Sequence, residues 1–125
     1  MKQINKNKHI ENVINILVCT DKQDLLWKYR DLLYKIFETS KCKMDLILTA
    51  RIDTALEISG FIAGGIDIYI TEYHTYKKEM KYSENKIRER YPESYIIVSE
   101  ESKKAIVDLS IEKKIRRVVK KLEVI

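Results

Sequence analysis

The segment VINILVCTDKQ, residues 13–23, contains two different sequence patterns in succession. Its first part, Val13–Cys19, is mostly apolar and β-branched, which is typical of a short strand covered on both faces. Thr20, with Gln23 three positions later, fits a capping box, and Asp21 favours the positive end of a helix. We therefore expect a buried strand that leads directly into a helix.

The alternation of strand and helix continues along the chain. Apolar residues recur at helical spacing from Leu25 to Phe37, and a second helical pattern begins at Ile52 and ends at Gly60. A looser helical pattern ends at Pro92. Further strands are predicted at three apolar runs, Met44–Leu48, Ile66–Ile70 and Tyr95–Val98. Such repeated units indicate an α/β fold, a flavodoxin-like, doubly wound parallel sheet with strand order 2-1-3-4.

The last part of the chain admits two interpretations. Ala105–Leu109 is either a shortened fifth strand or an earlier turn of a terminal helix. The connection Ser99–Lys104 is too short for a parallel crossover, which needs about a dozen residues, so a fifth strand beside the fourth would be antiparallel. The terminal helix carries an apolar stripe, from which we take as candidates for a homodimer contact Ile111, Ile115, Val119 and Leu122.

Length and composition indicate a single domain. The chain has 125 residues, of which 45% are hydrophobic, and we expect a flexible polar leader over residues 1–11 followed by one domain over residues 12–125. The apolar runs are too short to span a bilayer, so we expect a cytoplasmic protein without membrane contact. Neither Cys19, Cys42 nor His74 has partners at ligand spacing, and we predict no metal site and no cofactor.

The formal charge of +5 is concentrated at the two ends of the chain. From Ser110 onward the chain contains six basic residues and only two acids, Glu112 and Glu123, whereas the middle of the chain is close to neutral. This distribution is not that of a dedicated nucleic-acid surface, although it permits weak contacts with phosphates through the basic terminal helix.

Polar side chains follow three of the predicted strands. They are Thr20 and Asp21 after the first strand, Thr71 and Glu72 after the third, and Ser99 after the fourth. In an open parallel sheet, ligands bind beyond the carboxyl ends of the strands where the strand order reverses, here between the first and third strands. We therefore expect two carboxylates and a hydroxyl to converge there. The alternatives are a helix cap for Asp21 and Ser99 and an ordinary loop acid for Glu72.

In order and register these segments resemble the receiver domain of bacterial response regulators, in particular the type that accompanies LytTR DNA-binding domains. Residues 16–21, ILVCTD, resemble the family's strand that ends in two acids, and residues 66–72, IDIYITE, resemble the strand that ends in the phosphoacceptor Asp. Residues 91–99, YPESYIIVS, resemble the segment that leads to its switch Ser or Thr. The resemblance covers residues 13–100.

The departures from the receiver pattern fall on the residues of phosphotransfer. Thr20 stands where the family has its first metal-binding acid, Glu72 stands at the phosphoacceptor position, and Asp108 replaces the characteristic Lys. Phosphoryl transfer needs Mg²⁺ held on carboxylates and a cation for the product, and ångström-scale misplacement alone costs about a hundredfold in rate. We therefore expect Glu72 to act as a fixed negative charge that imitates the phosphorylated state.

The resemblance and its departures together imply a degenerate, stand-alone receiver-like domain rather than an enzyme. We expect a phosphorylation-independent signalling or protein-binding module, with a protein partner and a homodimer as candidate assemblies. Three alternatives stay open: a working receiver in a two-component phosphorelay, a small nucleic-acid-associated regulator that uses its basic C-terminal helix, and a fold-level analogue with unrelated ligand chemistry.

Overall fold

A computed structural model of the chain describes residues 13–62, 64–72, 77–99 and 109–123. Within them the strands are β1 (Val13–Cys19), β2 (Lys43–Thr49), β3 (Ile68–Glu72) and β4 (Tyr95–Ser99). The helices are α1 (Gln23–Glu38), α2 (Ile52–Ser59), α3 (Lys77–Arg90) and α4 (Leu109–Glu123). No helix within these ranges has the length and hydropathy needed to cross a membrane.

The four strands form one parallel sheet in the order β2-β1-β3-β4. β1 lies at the centre, where Val18 pairs with Leu48 on one side and with Ile70 on the other. In turn Ile70 pairs with Ile97 of β4. The predicted α/β class, the parallel sheet and the strand order are therefore confirmed.

Each face of the sheet is covered by two helices. On one face Val18 and Ile70 pack in a single apolar cluster with buried residues of α1 and α4, including Tyr29 and Ile115. On the other face the cluster contains Leu17 and Tyr69 of the sheet, with Ala55 of α2 and Met80 and Ile87 of α3. Because successive side chains of a strand point to opposite faces, a nearly continuous apolar strand such as β1 supplies both cores.

β3 lies two residues later in the chain than predicted. The sequence predicts Ile66–Ile70, whereas the strand is Ile68–Glu72. Asp67 explains its start, because its carboxylate accepts a hydrogen bond from the Asn15 backbone N–H at 2.8 Å, where a regular ladder would use a backbone carbonyl. At the other end Glu72 pairs with Ser99, so it belongs to the strand and not to the following loop.

The predicted capping box at the start of α1 is wrong. The helix begins at Gln23 with Lys22 as its N-cap, and no side chain caps it. The Thr20 hydroxyl instead accepts a hydrogen bond from the Lys22 backbone N–H at 3.3 Å, which forms a small turn. Thr20 also donates its backbone N–H to the Thr49 carbonyl oxygen, 3.2 Å away, and this bond keeps Thr20 at the end of the sheet.

The apolar stripe of α4 faces the protein's own core. Ile111, Ile115 and Val119 are buried against the sheet, and Leu122 is half-buried against the same cluster. All four side chains therefore belong to the core of the folded chain, and the homodimer contact predicted for them stays a prediction. Leu109 is the first residue of α4. Asp108, the rest of the possible fifth strand and the leader 1–11 lie outside the described residues.

Candidate site at the carboxyl edge of the sheet

Three predicted site residues lie side by side where β1, β3 and β4 end. Glu72 pairs with Ser99, and Thr20 follows Cys19, which pairs with Thr71 in the neighbouring strand. Thr20, Glu72 and Ser99 are all buried, and Glu72 is only 1% exposed. The sequence predicts two carboxylates and a hydroxyl at this edge. Of the two acids only Glu72 is buried beside Ser99, whereas Asp21 is exposed, one residue before the helix cap.

Glu72 is a buried carboxyl group with perturbed ionisation. Burial raises its pKa to about 7, while a hydrogen bond from the Ser99 hydroxyl and the charge of Lys22 lower it and the charge of Asp21 raises it further. At neutral pH the carboxyl is therefore about half protonated. Burial thus opposes the negative charge that the sequence predicts for Glu72, and its imitation of a phosphorylated state stays a prediction.

Thr71 does not take part in this site. Its hydroxyl lies 2.8 Å from the sulfur of Met80, on the face of the sheet that α3 covers. Adjacent strand residues alternate between faces, so Thr71 and Glu72 point in opposite directions. The sequence predicts both residues in the loop after the strand, where successive side chains need not point to opposite faces of the sheet.

A small polar network lies beneath α3 on the same face as Thr71. The Tyr69 hydroxyl is 2.7 Å from the Ser83 hydroxyl, which also donates to the Met80 carbonyl oxygen at 2.8 Å. Burial raises the pKa of the nearby Cys19 thiol to about 11, although its hydrogen bond with Tyr69 lowers it. Cys19 is thus a protonated thiol at neutral pH, without the thiolate character of a nucleophile.

A cleft of ≈ 780 Å³ lies between the N-terminal halves of α2 and α3, beside this network. Its lining includes Asp21, Ile52, Leu56 and Tyr82. At the opposite end the two helices are tied together, because Arg90 donates to the Ser59 hydroxyl at 2.6 Å and the Tyr91 hydroxyl donates to the Ser59 carbonyl oxygen. The cleft therefore lies at the end of the two helices that is nearer the carboxyl edge of the sheet.

Two features of this edge were missed by the sequence analysis. The positive charge of Lys22 lowers the pKa of Glu72. Lys22 is the N-cap residue of α1, a position that the sequence predicts for Thr20. The Arg51–Asp53 ion pair, 2.9 Å long, stands exposed at the mouth of the cleft. The pair is local, between the N-cap residue of α2 and an acid in its first turn, and its signal was the acid two positions after Arg51.

The described part of the chain contains no group of three or more His, Cys, Asp or Glu side chains that could hold a metal ion. Near the ends of β1 and β3 the acids are Asp21 and Glu72, and the buried Thr20 contributes a hydroxyl. Hard divalent cations such as Mg²⁺ bind oxygen ligands and keep several waters, which the burial of Glu72 opposes.

Comparison of the chain with protein-family models gives no match, and comparison with curated proteins gives none either. The likeness to receiver domains therefore rests on the segments quoted above and on the parallel sheet of order β2-β1-β3-β4.

Proposed function

We propose that this chain is a degenerate receiver-like module that acts by binding a protein partner, without phosphotransfer. The observation that carries the proposal is the burial of Glu72, 1% exposed, at the position where a receiver presents its phosphoacceptor Asp. The same edge holds Thr20 in place of an acid and the Ser99 hydroxyl at the switch position.

Burial of Glu72 argues against the chemistry of a working receiver. A phosphodonor and Mg²⁺ must reach the acceptor oxygen, and its reaction needs charge neutralisation in a prearranged geometry. With a pKa of about 7, Glu72 is in part a neutral acid at physiological pH, which is a poor nucleophile and a poor metal ligand. Its hydrogen bond with Ser99 joins the ends of β3 and β4 instead.

The outward face of α1 supports binding of a protein partner. Trp27 is 45% exposed and Tyr34 is 56% exposed, seven positions apart on one helix face. The Arg30 guanidinium stacks over the Trp27 ring, 4.8 Å from its centroid. Trp, Tyr and Arg are the residues that most often dominate the energy of protein interfaces. We therefore assign the partner contact to this surface.

The loss of phosphotransfer is tested by incubating the protein with Mg²⁺ and acetyl phosphate and measuring its intact mass. We expect no added phosphoryl group, and no saturable change in the backbone amide signals of Glu72 and Ser99 on addition of Mg²⁺ and beryllofluoride. A phosphorylated species that disappears in Glu72→Ala would establish the alternative of a working receiver.

Partner binding is tested by placing a photoreactive amino acid at position 27 or 34 in the source cells, with position 61 as the control. Phe61 is also an exposed aromatic residue, 83% exposed, but it lies outside the α1 face. We expect one protein to crosslink from positions 27 and 34 and not from position 61, and the crosslink from 34 to be lost when Trp27→Ala is added. Equal crosslinking from all three positions would contradict the proposal.

A further inference from the structure

The surface of α4 is divided into an apolar side and a basic side. The apolar side is buried against the sheet, including Ile115, which is fully buried. On the opposite side five exposed basic residues share one face of the helix: Lys113, Lys114, Arg117, Lys120 and Lys121. At 3.6 residues per turn they form a single stripe, about 12 Å long from the first to the last residue.

The two acids of α4 do not neutralise this stripe. Glu112 forms an ion pair with Arg116, 3.0 Å long, at the border of the stripe. Glu123 accepts hydrogen bonds from the Ser40 hydroxyl at 2.5 Å and from the Lys41 backbone N–H at 3.1 Å. Glu112 is thus paired at the border of the stripe, and Glu123 bonds to the loop after α1 with Lys120 as a further charge near it, so the five cations leave a net positive charge on this face.

We propose that this face of α4, the basic stripe, binds the phosphate backbone of double-stranded nucleic acid without reading its sequence. A duplex presents one negative charge per about 1.7 Å of its axis, so a stripe about 12 Å long faces about seven phosphate charges. Basic side chains on one helix face are the electrostatic footprint of such binding. This inference goes beyond the proposed function, since it concerns α4 and not the aromatic face of α1.

The chemistry of the stripe favours nucleic acid over the other acidic surfaces. A helix that lies in a membrane interface inserts its apolar face among the lipids, and in α4 that face is buried in the protein core. Protein interfaces are centred on aromatic and apolar anchors and are depleted in Lys. The stripe offers cations alone, which suffices for sequence-independent contacts with phosphates.

The test is fluorescence anisotropy of the full chain with two labelled duplexes of unrelated sequence, over about 50 to 200 mM salt. We expect equal affinity for both, with log K falling linearly against log salt at a slope of about −4.5 if all five cations contact phosphates. The variant Lys113→Gln, Arg117→Gln, Lys120→Gln retains Lys121, which lies over the Tyr95 ring, and its slope should fall to about −1.8.

The control variant removes the same number of charges elsewhere on the exposed surface, by Lys28→Gln, Lys43→Gln and Lys78→Gln. It should keep the wild-type slope, and thermal melting should show that both variants fold. If duplex binding weakened equally in the two variants, it would depend only on the net charge of the protein and not on the basic stripe, which would overturn the proposal. Absence of duplex binding at the lowest salt, or binding to anionic vesicles alone, would also overturn it.

Discussion

At the scale of single residues, Glu72 shows how the burial and charge of one side chain depend on whether it lies in a strand or in a loop. As a loop acid it would be solvated and charged, whereas as the last residue of β3 it is buried beside Ser99. The sequence identifies the acid and its place in the chain order. Its protonation depends on the extension of β3 through Glu72, which pairs there with Ser99 of β4.

Replacing Glu72 with Gln should make stability less dependent on pH. The folded protein binds the Glu72 proton more tightly than the unfolded chain does, because the pKa is raised from 4.5 to about 7. Wild-type stability therefore decreases, relative to Glu72→Gln, as pH rises from about 4.5 to about 7, and above that the total change stays constant at about 3 kcal/mol. Urea denaturation across this range measures it. Glu57→Gln, at an exposed acid, is the control and should show no such trend.

Gly65 is required by both its backbone and its surroundings. Its φ is +81°, and an added Cβ would lie 2.8 Å from the Tyr91 ring. Gly65→Ala should therefore destabilise the protein by about 2 kcal/mol or more, as measured by urea denaturation. At Gly60, with φ −74°, a Cβ would meet its nearest atom at 3.4 Å. Gly60→Ala should stay within about 0.5 kcal/mol of wild type, and equal losses at both sites would contradict this account.

At the scale of elements, most strands and helices could be predicted because their apolar periodicity is strong. The apolar residues of α4 recur at helical spacing, so they predict only a helix. The apolar run of β1 is too short for a helix, so it predicts only a strand. The boundaries depended on side-chain hydrogen bonds instead. Thr20 bonds to Lys22 and thereby shifts the start of α1, and no propensity rule distinguishes that turn from a capping box.

Two apolar residues of α4 differ in burial and should therefore differ in their contribution to stability. Ile115 is fully buried, whereas Leu109 is 62% exposed. Ile115→Ala should cost about 3 kcal/mol of stability because it leaves a cavity under the helix. Leu109→Ala should change stability by less than about 0.5 kcal/mol. Thermal or urea denaturation distinguishes them, and a small effect at Ile115 would mean that α4 does not pack on the sheet in solution.

At the scale of the whole molecule, the order of elements determines the fold, while the site depends on distances between elements. Alternating strands and helices restrict the chain to few topologies, so the sheet order could be predicted. The same order brings Thr20, Glu72 and Ser99 to one edge. Burial of Glu72 and the cleft between α2 and α3 arise from packing between distant segments, which one sequence does not display.

The central position of β1 has a consequence for the newly made chain. β1 pairs with β2 along one edge and with β3 along the other, and β3 begins only at Ile68. Since domains emerge from the ribosome N-terminus first, β1 and β2 can join while the second edge of β1 still has no neighbour. An unpaired edge on so apolar a strand is a template for aggregation. β1 therefore keeps one unpaired edge until residues 68–72 have emerged from the ribosome.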